Sequence, residues 1–256
     1  MQSVEVVEEP HVLILIAMEA EAAPLLSKLD LPQIPLDVCE WHPFLAYSGK
    51  YKDLRVSIVT NGKSKCKEGE GEPVDNVGTT PAALATFVAI NSLKPSLIIN
   101  AGTAGGFRSK GAEIGDTYIS TILRHHDRRI TIPGWDNYAK GHHESHSCNR
   151  LANDLGYKIG IVTTGNSLDA NDTDREIMKV NEASVKDMEA AAIAWVAEQA
   201  TIPFFALKCV TDIVDGEHPT HEEFLANLGT AAASLQTSLI STIEYLSEKN
   251  GKHENL

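Results

Sequence analysis

The chain has 256 residues, a formal net charge of −13 and a sequence pI near 5.2. This length suits one large α/β domain, and no linker-like stretch divides it. The charge argues against nucleic acid or an anionic membrane as partner, because only two short basic clusters, 63–67 and 124–129, oppose it.

Residues 1–10 carry Glu5, Glu8 and Glu9 and no basic residue, which does not fit a secretory or mitochondrial leader; they are expected to be flexible, as are 248–256. The apolar run 12–17 predicts a strand. Residues 19–29, apolar at three- and four-residue spacing, predict a helix. Between them, Met18-Glu19-Ala20-Glu21 sets carboxylates just past a strand end, where ligands bind in open α/β sheets. A second strand is predicted over 55–60. The stretch 62–76, rich in Lys, Glu and Gly, reads as a mobile loop that leads into a helix over 80–93, with Pro81 near its start and Pro95 past its end.

The strand predicted over 97–100 enters a glycine turn, Ala101-Gly102-Thr103-Ala104-Gly105-Gly106. Glycines let a backbone approach a flat or phosphorylated ligand closely. The Gly-x-Gly-x-x-Gly order is absent, however, and no Lys-Ser/Thr follows, so dinucleotide and P-loop sites are disfavoured and a structural turn remains an alternative. Further strands are predicted over 117–121 and 158–162. Between these, 134–147 holds His142, His143 and His146 among polar residues; without Cys or a His-Glu-x-x-His pattern they are expected to face solvent, and no metal is assigned.

Lys186-Asp187-Met188-Glu189 opens a helix predicted over 189–200. A strand over 202–210 then ends at Thr211-Asp212, before a last helix over 220–247. Strand and helix alternate throughout, which predicts a single domain over 11–247 with a central mixed, mostly parallel twisted sheet flanked by helices. Cys39, Cys66, Cys148 and Cys209 show no paired spacing, and no apolar stretch approaches the roughly 20 residues that span a bilayer; a reduced, cytoplasmic protein is expected.

Glu19, Glu21 and Glu189 each fit an ordinary helix-start acid that complements the macrodipole. Asp212 is harder to dismiss, since an acid bordering a buried strand usually has a partner or a task. The ordered set Ile16-Ala17-Met18-Glu19-Ala20-Glu21, Asn100 to Gly106, His126-Asp127-Arg128-Arg129, Lys186 to Glu189 and Val210-Thr211-Asp212-Ile213-Val214-Asp215-Gly216 resembles the 5'-methylthioadenosine nucleosidases of the purine nucleoside phosphorylase superfamily, their plant-type branch above all.

That resemblance, which runs from about residue 12 to 246, implies hydrolysis of 5'-methylthioadenosine to adenine and 5-methylthioribose in methionine salvage, without a cofactor. It implies Asp212 as the general acid at purine N7 and Glu21 as the group that positions or activates water, helped by Thr103 and Lys208. Glu189, with the backbone near Met188, would hold the ribose hydroxyls. Leu168, Ala104 and Gly105 would wall the adenine, and Met18 would line the sugar and methylthio group. Asn100 and Glu21 stand where phosphorylases of the superfamily carry arginines, which favours water over phosphate. A homodimer is implied. The rivals are a purine nucleoside phosphorylase and a non-catalytic nucleoside-binding or storage relative, and S-adenosylhomocysteine is an open second substrate. Two departures stand out: the length and charge of 62–76, which reads as a lid, and Asn166 where the family usually has an acid.

Overall fold

The computed structural model describes residues 10–39, 41–65, 71–249, 251 and 256. The first strand, β1 (His11–Ile16), is buried along its whole length, as a near-continuous apolar run must be when both faces of a strand are covered. Its side chains alternate between two cores. Leu13 and Leu15 join Ala82, Ala85 and Ile193 on one side of the sheet, and Val12, Ile14 and Ile16 join Ala22, Leu25, Leu235 and Leu239 on the other. Helices α2 (Thr79–Leu93) and α6 (Ala190–Ala200) thus cover the first face, and α1 (Glu19–Leu29) and α7 (Thr220–Glu248) the second; the shorter α3 (Asp136–Lys140), α4 (Asn149–Leu155) and α5 (Asp172–Val180) come between α2 and α6 in the chain.

β1 lies between β4 (Leu54–Thr60) and β5 (Leu97–Gly106), both parallel to it, and β5 runs parallel to β10 (Phe204–Ile213). The sheet also contains antiparallel pairings. β2 (Gln33–Ile34) and β3 (Leu45–Tyr51) extend the edge beyond β4, and β7 (His143–Glu144) pairs with β6 (Thr117–His125). The expected single, mixed α/β sheet is therefore present, with one difference from an open sheet. The path β10, β6, β8 (Lys158–Thr164), β9 (Val185–Asp187), β5 returns to β10, so five strands close a ring. The ring brings the ends of β5, β9 and β10 together.

Several local expectations are corrected. The glycine segment is no turn: residues 97–106 form one continuous strand, and Gly102, Gly105 and Gly106 do not have positive φ. They serve by lacking a Cβ. A Cβ on Gly105 would lie 2.7 Å from Asp212 Oδ2 and 2.6 Å from Val214, and one on Gly106 would lie 2.7 Å from Ala112. His143 does not face solvent. It is buried, with Nδ1 2.7 Å from Glu198 Oε2. Among the described residues no His, Cys, Asp or Glu cluster could hold a metal ion, and no helix is long and apolar enough to cross a membrane.

The loop expected to be mobile throughout 62–76 has paired arms: Asn76 N donates to Gly62 O (2.9 Å) and Ser64 N to Val74 O (2.8 Å). Residues 66–70, with Cys66, lie outside the described part, as do most of the terminal segments expected to be flexible. Leu256 is described, and it is buried with its carbonyl accepting from Arg150 N.

Candidate active site

Of the acids singled out in the sequence, Glu19, Glu21 and Glu189 reach partners far from their own elements, whereas Asp212 bonds within its own strand. Glu21, on the first turn of α1, is 3 % exposed, and its Oε1 accepts from both the amide and the hydroxyl of Thr103 on β5, each at 2.7 Å. It is not a solvated helix-start acid. Glu19 is one: it is half-exposed and forms an ion pair with Lys63 at 2.9 Å. Glu189 is the N-cap residue of α6 but does not cap that helix; its Oε1 accepts from the amide of Gly78, ahead of α2, at 2.9 Å.

The capping falls to Asp187, whose Oδ2 accepts from Ala190 N at 2.8 Å while Oδ1 accepts from the Thr164 hydroxyl at 2.6 Å. Asp187 also pairs with Lys208 of β10 at 2.9 Å, and neither side chain is more than 1 % exposed. A buried pair of this kind persists only when further hydrogen bonds satisfy the carboxylate, and here the Thr164 hydroxyl and the helix amides do so. Asp212 lies inside β10, one residue short of its end, after a register shift between Val210 and Asp212. Its Oδ1 accepts from the Thr211 hydroxyl at 2.7 Å, and its Oδ2 occupies the space that a side chain on Gly105 would fill.

Burial sets the protonation. It pushes Glu21 above the usual carboxylate range against the Thr103 hydrogen bonds and the charge of Lys208. It pushes Glu189 up to about 7, with Lys208 opposing and Asp187 adding to the rise. Asp212 is raised by burial too, with Thr211 and the Lys186 ammonium opposing. Asp187 goes the other way: burial alone would raise it, but Lys208 and its hydrogen bonds hold it below its ordinary value. Lys208 in turn is kept charged, because Asp187, Glu189 and Glu21 outweigh its burial.

These groups enclose a cavity of about 210 Å³. Met18, Glu21, Thr103, Ala104, Gly105, Leu168, Met188, Glu189 and Asp212 all line it. Lys208, the remaining residue picked from the sequence, does not; it lies behind the wall, bound to Asp187. Sequence reasoning missed Lys186, Asp187, Val77, Thr220 and Phe224 as lining residues. Asp187 left a signal, an acid three residues before an apolar helical run, which is the spacing of a side chain that caps a helix. Val77 and Phe224 left none, because two distant segments bring them there.

Asn166 binds the loop it sits in. Its Oδ1 accepts from the amide and hydroxyl of Thr79, each at 2.9 Å, and its own amide donates to Asp127 at 2.6 Å. An amide side chain thus ties the loop to the start of α2.

A family model described as the phosphorylase superfamily matches residues 11–244. The chain belongs to that superfamily. This phosphorylase-superfamily protein is 43 % identical over 242 residues to a 5'-methylthioadenosine nucleosidase of Arabidopsis thaliana, covering 93 % of this chain and 88 % of the relative. It is 42 % identical to a 5'-methylthioadenosine/S-adenosylhomocysteine nucleosidase of the same plant, covering 93 % and 92 %. The solved apo structure of the Arabidopsis thaliana 5'-methylthioadenosine nucleosidase superposes with a TM-score of 0.89 at 42 % identity, covering 96 % of this chain and 99 % of that one. The resemblance to the plant-type branch is borne out.

Proposed function

We infer that this superfamily member hydrolyses the N-glycosidic bond of 5'-methylthioadenosine, releasing adenine and 5-methylthioribose. The observation that carries this is the charge of the cavity wall. Glu21, Asp187, Glu189 and Asp212 line it, Lys186 is the only cationic side chain among the described lining residues, and no arginine is among them. Phosphorolysis would require a phosphate anion to sit beside Glu21 and Glu189, where it would be repelled. Water meets no such barrier.

The geometry supports a division of labour. Breaking the bond builds positive charge on the ribose and negative charge on the purine, so acids around the sugar and a proton at the base oppose both build-ups. Asp212, whose hold on a proton burial strengthens, donates toward purine N7 and lets adenine leave neutral. Glu189 keeps one oxygen for the ribose hydroxyls while Gly78 holds the other. Glu21, fixed through Oε1 by Thr103, offers its second oxygen to the attacking water. A Cβ on Gly102 would lie 3.5 Å from both Glu21 oxygens and 3.6 Å from Lys208 Nζ, so the glycine leaves room for that water between them. Lys208 acts from behind, by keeping Asp187 ionised. Met18, Met188, Val77 and Phe224 form the apolar side against the sugar and its thioether.

The protein is proposed to work in the cytoplasm as a homodimer. An apolar groove of about 860 Å³ between α2 and α6 supports the second copy: Phe87, 60 % exposed, and Trp195, 47 % exposed, project into it beside Leu84 and Val196. The test of function is adenine release by purified protein from 5'-methylthioadenosine and from S-adenosylhomocysteine, with and without phosphate. Release from the first nucleoside at a rate independent of phosphate is expected; release that requires phosphate would overturn the proposal.

A further inference from the structure

The strand register aligns three residues in one row across the sheet: Asp212 on β10 pairs with Gly105 on β5, and Gly105 pairs with Lys186 on β9. Neighbouring strands lie about 4.8 Å apart, so the acid and the lysine stand on either side of a strip of bare backbone roughly two strands wide. A flat base fits such a strip. Lys186 is 5 % exposed, lines the cavity and, among the described residues, forms no ion pair with a carboxylate. Its ammonium donates instead to two successive carbonyls of the loop after β8, Ser167 O at 2.7 Å and Leu168 O at 2.8 Å. A buried lysine spent on two backbone carbonyls fixes the position of that backbone, because charge-assisted hydrogen bonds of this length are stronger than neutral ones and leaving the ammonium unpaired would be costly.

We propose that Lys186 is a positioning residue for the purine half of the site: it clamps the 167–168 loop across the glycine strip from Asp212, and its ammonium stands in the same row of the sheet as that acid. The proposal rests on the nucleosidase reading above. Two consequences follow from the clamp and the charge. Loss of the clamp lets the Leu168 backbone drift, which weakens nucleoside binding without touching the sugar side. Loss of the charge removes a group that favours the Asp212 carboxylate.

The groups facing Asp212 are Lys186 from β9, Thr211 from its own strand and Glu223 from α7, whose carboxylate accepts from Ile213 N at 2.8 Å. Lys186 and Thr211 favour the ionised acid, and Glu223 opposes it. Burial pulls the Lys186 ammonium below its ordinary value, and the acids around it, Asp212, Asp187, Asp169 and Asp127, oppose that fall. An acid that must be protonated to donate gives activity that falls as pH rises through its pKa. Removing the lysine charge raises that pKa, so the alkaline limb of kcat moves to higher pH.

The experiment compares Lys186→Met, Lys186→Arg and the unmodified protein in adenine release across pH, with adenine binding by calorimetry and amide exchange of residues 165–170 as measurements that do not depend on turnover. Expected for Lys186→Met is a KM for 5'-methylthioadenosine raised roughly tenfold or more, as two charge-assisted bonds are lost, with an alkaline limb displaced upward and faster exchange over 165–170. Lys186→Arg, which keeps the charge and can reach both carbonyls, should hold the limb in place. A folded Lys186→Met protein with unmodified KM and unmodified limb overturns the proposal, as does an equal limb shift in Lys186→Arg. If Lys186→Met does not fold, Lys186→Gln, uncharged but still able to donate to one carbonyl, reads the same limb, and an unmoved limb overturns the proposal. If the unmodified protein releases no adenine from the nucleoside, the functional reading fails by itself, and adenine binding and amide exchange still decide whether Lys186 clamps the loop.

Discussion

The two halves of the cavity manage charge in opposite ways. On the sugar side, Glu21, Glu189, Asp187 and Lys208 crowd together, and the single lysine is committed to Asp187 at 2.9 Å, which leaves the two glutamates raised by burial. On the purine side, Asp212 has one hydroxyl partner and an ammonium across the glycine strip. Under the proposed function the first half stabilises a cation by holding excess acid around it. The second raises the proton affinity of one acid by burial, in favour of giving that proton to the purine. One lysine more or less in either half would blur this difference.

The most severe break is Asp187→Asn, which strips the partner from a lysine that is 1 % exposed. Breaking a buried pair by removing one member costs about 3–5 kcal/mol, so a large fall in denaturation midpoint is expected, with an unchanged midpoint contradicting the pairing. In whatever fraction folds, Glu189 loses a neighbouring negative charge and gains an unopposed ammonium, and its acid limb should move to lower pH.

Next in size is Asp212→Asn. The fold and most of the nucleoside affinity should survive, while kcat drops by roughly 10²-fold or more, as expected when a general acid is removed. Turnover close to that of the unmodified protein would show that another group supplies the proton. The pH profile of the unmodified protein follows. In its proposed role Glu189 accepts from the ribose hydroxyls as a carboxylate, and burial pushes its pKa up to about 7. As pH falls below that value, kcat/KM for the nucleoside should therefore decline toward a tenfold loss per unit. A profile flat from pH 5 to 8 would remove Glu189 from that task.

The smallest effect belongs to the rim. Lys63→Ala removes an exposed ion pair with Glu19 and should leave Tm and turnover unchanged. Shortening the 62–76 loop sharpens the contrast, because it runs into Val77 at the cavity wall. It should change the ratio of activities on the two nucleosides more than it changes Tm, and unaltered kinetics on both would reduce the loop to a surface insertion.

Much of this was legible in the sequence because long periodic segments carry their own signal. The helix predicted over 19–29 is α1 to the residue, and those predicted over 80–93, 189–200 and 220–247 differ from α2, α6 and α7 by a residue at an end. β9 was not legible. It is three residues long, two of them charged, and its strand character comes from the closure of β8 and β5 around it. For the same reason the glycines of β5 looked like a turn: their local preference is for bends, and only the approach of Asp212 and Val214 explains why side chains are excluded there. Glu21, Glu189 and Asp212 could be picked out as acids at element ends. That Asp187 would caps α6 and hold Lys208 depended on a ring of strands that no window of sequence contains.

The account is tested most directly by following the phosphorus resonances of phosphate buffer by NMR while the protein consumes 5'-methylthioadenosine. It predicts that adenine accumulates with free 5-methylthioribose and that no new phosphate ester appears. A sugar 1-phosphate signal growing in step with adenine would contradict it.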